Sequence, residues 1–156
     1  MGNKVVLVCV SENRIGRMGR MIRNALTDEG IDEASIVSTS GPIGLNYALG
    51  SEIAMMFIAE PLDRDSGIDI LASASGVRRK LQIPNFPSCL VVDGNRIDPF
   101  EAEKALEDNE LNLVTVLHPE TTYAELRNIV RAMEEGKRLV FVPGLGCRRY
   151  IDPGTI

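Results

Sequence analysis

Six residues near the start, Val5-Val6-Leu7-Val8-Cys9-Val10, form an unbroken apolar and mostly β-branched run between Lys4 and Ser11. A strand with one face in water alternates polar and apolar side chains. This run has no polar face to offer, so it reads as a strand buried on both sides within a parallel sheet. The chain then turns polar through Ser11-Glu12-Asn13-Arg14. From Arg17 to Glu29 the apolar Met18, Met21, Ile22, Ala25 and Leu26 recur at helical spacing, with Gly30 as the stop signal.

The same alternation continues along the chain. Ala34 to Ser40 reads as a short strand closed by Gly41-Pro42, and the uncharged stretch from there to Ser51 as a ligand-facing loop or a short helix around Leu45 to Leu49. Ile53 to Ala59 is an apolar run that reads as a strand, ended by Glu60-Pro61. Ser66 is placed to cap a helix carried by Ile70, Ala74, Val77 and Leu81, with Pro84 and Pro87 beyond it. Ser88 to Val92 is another strand, and Asp98-Pro99 opens a helix through Phe100, Ala105 and Leu106. Leu111 to His118 is a strand, Thr121 or Thr122 caps a helix ending at Gly136, and Arg138 to Val142 is a last strand before Pro143-Gly144-Leu145-Gly146. Strands alternating with helices predict a Rossmann-like three-layer α/β/α sandwich with a largely parallel sheet of about five or six strands. Residues 1–156 read as one domain, without repeat or linker.

Composition restricts the function classes. With 17 basic and 22 acidic residues the net charge is −5, which argues against a general nucleic-acid-binding surface. The four Phe, three Tyr and absent Trp lie mostly in apolar runs, so stacking platforms for single strands are not expected either. No membrane-length apolar stretch and no signal-peptide pattern occurs, and a cytoplasmic protein is expected. Cys9, Cys89 and Cys147 are scattered, as reduced thiols are, and the one histidine, His118, has no Cys-x-x-Cys beside it, so no metal site is expected.

In open parallel sheets ligands bind beyond the carboxyl ends of the strands, near a reversal of strand order. The residues expected there are Ser11 to Arg14, Ser38 to Gly41, Glu60, Asp93, His118 and Glu120, and Gly144 to Arg149. The first of these groups joins a strand to a helix N-terminus, a place suited to an anion. It resembles the phosphate loop of low-molecular-weight tyrosine phosphatases and sugar-transport IIB proteins, in which a cysteine ends the first strand. Ile15 stands where the phosphatase arginine would, six residues after Cys9, so Cys9 is read as a buried, non-nucleophilic thiol.

Arg14, Arg17, Arg20 and Arg23 recur every three residues and fan across about half of the helix surface. One reading is a solvated face or subunit contact; the other gives Arg14 and Arg17 a phosphate or carboxylate to hold. Gly144-Leu145-Gly146 after the last strand lets a backbone approach a ligand closely, with Arg148 and Arg149 adding charge. From Asp93 to Glu125 nine acidic residues face two basic ones, so the positive charge gathers at the two glycine-bearing loops. His118 and Asp93 are the catalytic candidates, with Glu60 and Asp93 also placed as acids or metal-binding groups.

The expected ligand is a small phosphorylated or nucleotide-like anion, held by Ser11, Asn13, Arg14 and Arg17 together with Gly144, Gly146, Arg148 and Arg149. No cofactor is identifiable from sequence, and whether the chain is an enzyme stays open. A homodimer is expected, and the alternative function is that of a non-catalytic homodimeric interaction or accessory protein, paired through the arginine-bearing helix or through a C-terminal tail with apolar Tyr150, Ile151 and Ile156.

Overall fold

A computed structural model describes residues 5–9, 12–38, 53–60, 67–83, 86–92, 113–117 and 121–135. For Val5, Leu7, Cys9, residues 12–17, Glu60, Val92 and Leu113 the description is of the backbone alone. Strand β1 (Val5–Cys9) leads into helix α1 (Glu12–Asp28), a 3-10 turn (Glu33–Ser35) and strand β2 (Ile36–Ser38). Strand β3 (Ile53–Glu60), helix α2 (Gly67–Lys80), strand β4 (Ser88–Val92), strand β5 (Leu113–Leu117) and helix α3 (Tyr123–Glu134) follow. The five strands pair in the order β2-β1-β3-β4-β5, and every pairing is parallel.

Register shows that helices cover both faces. Phe57 and Cys89 are partners across β3 and β4, and Ile58 and Leu90 are partners one residue on, so the two rows point to opposite faces. The Cys89 Sγ lies 3.5 Å from the Met133 Sδ of α3, which sets α3 on the Phe57 face. Gly67 at the start of α2 lies against Ile58, which sets α2 on the other. Helix α1 packs with α3, so the layers are α1 and α3, the sheet, and α2. This is the three-layer sandwich the alternation predicts, and it explains why β3 has no polar face: Met56, Phe57 and Ile58 are completely buried. Burial of each such side chain contributes about 1.5–3 kcal/mol relative to exposure.

The element ends follow local chemistry. Helix α1 begins at Glu12, earlier than the apolar spacing alone indicates, and its buried stripe of Met18, Ile22, Ala25 and Leu26 is the expected one. It ends in a Schellman arrangement: Ile31 N–H donates to the Leu26 carbonyl and Gly30 N–H to the Thr27 carbonyl, both at 3.0 Å, with Gly30 at φ 92°. Strand β2 begins two residues later than expected because the Asp32 carboxylate accepts from the Ala34 N–H at 3.0 Å, drawing residues 33–35 into the 3-10 turn. The Ser88–Val92 strand has the predicted bounds. Helix α3 is capped by Thr122 in a reciprocal capping box with Glu125. The expected helix after Asp98, the strand at Arg138 to Val142 and the C-terminal tail lie outside the described residues.

Candidate functional site

The strand order supplies the position that the sequence left open. From β1 the chain crosses through α1 to β2 on one side, while β3, on the other side of β1, continues through α2 to β4 in the opposite direction. The connections therefore diverge between β1 and β3, and the crevice at their carboxyl ends is the topological switch point where open α/β sheets bind ligands. Cys9, the last residue of β1, pairs with Ile58, and β3 runs on to Glu60, which pairs with Val92.

Two helices open at this crevice, one from each layer. Helix α1 begins three residues after Cys9, so Val10 and Ser11 are the whole connection. Helix α2 opens at Gly67, and a Cβ built there would overlap the carbonyl oxygen of Ala59 and lie 3.3 Å from the Ile58 Cγ1. Only glycine permits this approach, which seats the α2 N-terminus directly on the end of β3. Each N-terminus carries the positive end of a helix dipole.

Among the expected ligand-binding residues, Asn13, Arg14 and Arg17 fall in the first turns of α1. Helical spacing separates their positions. Arg14 is four residues before Met18 and seven before Met21, at the margin of the buried stripe, whereas Asn13 is seven before the exposed Arg20 and four before Arg17. Ser11, Asp93, His118, Gly144, Gly146, Arg148 and Arg149 lie outside the described residues, although β1, β4 and β5 end at or near the sequence positions of the first three.

The arginine series is not one uniform face. Arg23 Nη1 donates to Ser38 Oγ at 2.6 Å, and its Nη2 lies 3.9 Å from Glu33 Oε1, so this arginine ties α1 to β2 and to the 3-10 turn. Arg20 is exposed. The sequence reading missed a second charged cluster between α1 and α3. Glu29, with a side chain 11% exposed, accepts from Arg127 Nε and Arg131 Nε at 2.9 Å each, while the Tyr123 hydroxyl donates to Asp28. Arg131, opposed in part by burial and aided by Arg127, holds the Glu29 carboxyl below its usual range. The i, i+4 spacing of Arg127 and Arg131 was the available signal; that both face Glu29 depends on helix packing.

Arg78 is buried, with its guanidinium carbon 5.2 Å from the Phe86 ring centroid, and burial lowers its pKa. The Cys89 thiol is pushed up to about 12 by burial, which leaves it protonated and inert. Among the described residues no group of three or more His, Cys, Asp or Glu could hold a metal ion. Among them, too, no helix is long and apolar enough to cross a membrane.

The architecture is the CheY-like receiver fold, a flavodoxin-like three-layer sandwich with a parallel sheet. No family model matches the chain, and no curated protein matches it. Similar solved structures include the receiver domain of the Francisella response regulator 1452, 17% identical, at a TM-score of 0.61 over 85% of this chain and 98% of that one. Another is the Saccharomyces cerevisiae receiver domain of the response regulator Ssk1, co-crystallised with the histidine phosphotransfer signaling protein Ypd1. It is 15% identical, at a TM-score of 0.63 over 86% of this chain and 91% of that one. A third is the phosphorylated cyanobacterial phytochrome response regulator RcpA, 14% identical, at a TM-score of 0.57 over 86% and 93%. At these identities the likeness is one of fold.

Proposed function

We propose that the chain binds a small phosphorylated or nucleotide-like anion at the carboxyl edge of the sheet, in the crevice between β1 and β3. The observation that carries this reading is the convergence there of two helix N-termini, α1 from one layer and α2 from the other, with Gly67 bringing the α2 backbone against Ala59. The positive ends of the helix dipoles on both sides favour a compact anion. Arg14 stands at the margin of the inward face of α1 and adds a guanidinium suited to phosphate oxygens, with Ser11, Asn13 and Arg17 beside it in sequence. Glu12 and Glu60 bring negative charge to the same edge, so binding depends on the arginines and weakens with salt. Two of the similar structures give further support, since one is a phosphorylated response regulator and the other holds a phosphotransfer protein.

The test is a titration of the ¹⁵N-labelled protein with inorganic phosphate and with a nucleoside monophosphate at low ionic strength. Amide shifts are expected at Ser11 to Arg14 and at Gly67, and Arg14→Ala should weaken them about tenfold or more. If neither compound moves these amides, or if Arg14→Ala titrates like the parent protein, the reading is wrong.

A further inference from the structure

We draw no further inference here: the strongest candidate, the outer strand β5, whose residues from Val114 to Leu117 are buried although β4 is its one strand partner among the described residues, carries nothing because nothing in the structure shows what covers its outer side.

Discussion

Gly67 and Gln82 are two backbone positions where side-chain identity has consequences that run in opposite directions. At Gly67 a methyl group would collide with the Ala59 carbonyl, a backbone atom that cannot swing aside as a flexible side chain could. Gly67→Ala is therefore expected to destabilise the fold by about 1–3 kcal/mol, read as a lowered urea midpoint with unchanged slope. A variant as stable as the parent would show that α2 does not sit this close to β3. Gln82 takes the left-handed position of the Schellman arrangement that ends α2, at φ 58°, the place that Gly30 fills after α1. A non-glycine residue there costs about 1–2 kcal/mol, offset in part by the entropy glycine loses on folding. Gln82→Gly is expected to stabilise by about 0.5–1 kcal/mol in the same measurement. Cys89 should resist alkylation at pH 8 in the folded protein and react readily once it is unfolded, because burial keeps its thiol protonated.

Helix α3 is held by its cap at one end and by α1 along its side. Removing the Thr122 hydroxyl leaves the Glu125 N–H without its acceptor at 3.2 Å, so Thr122→Ala should lower stability by about 1 kcal/mol. The clamp on Glu29 gives a pH dependence with a definite sign. Its folded pKa lies below the ordinary value of 4.5, so the folded state favours the carboxylate. The resulting stabilisation is complete above that value and is lost as pH falls through the lower folded pKa. Glu29→Gln should flatten the acid limb of the stability curve while changing little at its neutral plateau slope, as followed by urea unfolding at successive pH values. Tyr123 runs the other way: its hydrogen bond to Asp28, with burial, raises its pKa above 10.0. That contribution is present below the ordinary value and is lost as pH rises through the folded one, so Tyr123→Phe should remove part of the alkaline limb.

Across the whole molecule the proposed anion site requires the folded state, since it draws on β1, β3, α1 and α2 together. Phosphate should then raise the melting temperature with the logarithm of its concentration above the dissociation constant, the added stability reaching about 2.7 kcal/mol at one hundred times that constant. A melting temperature that is flat across a low-salt phosphate series would contradict this.

The sequence by itself determined the alternation of strand and helix, the parallel character of the sheet and the three-layer class. Each of these follows from local patterning: runs with no polar face such as Val5 to Val10 and Ile53 to Ala59, helical stripes such as Met18 to Leu26, and stop signals such as Gly30. Local signals also set the bounds of the Ser88–Val92 strand and narrowed the α3 cap to Thr121 or Thr122, of which the structure selects Thr122. Strand order was not legible, because any permutation of five equally apolar parallel strands satisfies the same local pattern. Tertiary structure alone decided that β3 lies beside β1 and thereby placed the crevice between them. The same holds for individual side chains. Arg14, Arg17, Arg20 and Arg23 are alike in sequence, yet packing binds Arg23 to Ser38 and Glu33 and leaves Arg20 exposed. Gly67, unremarked in the sequence, is required only because the end of β3 lies beneath it, a contact between residues that no local pattern encodes.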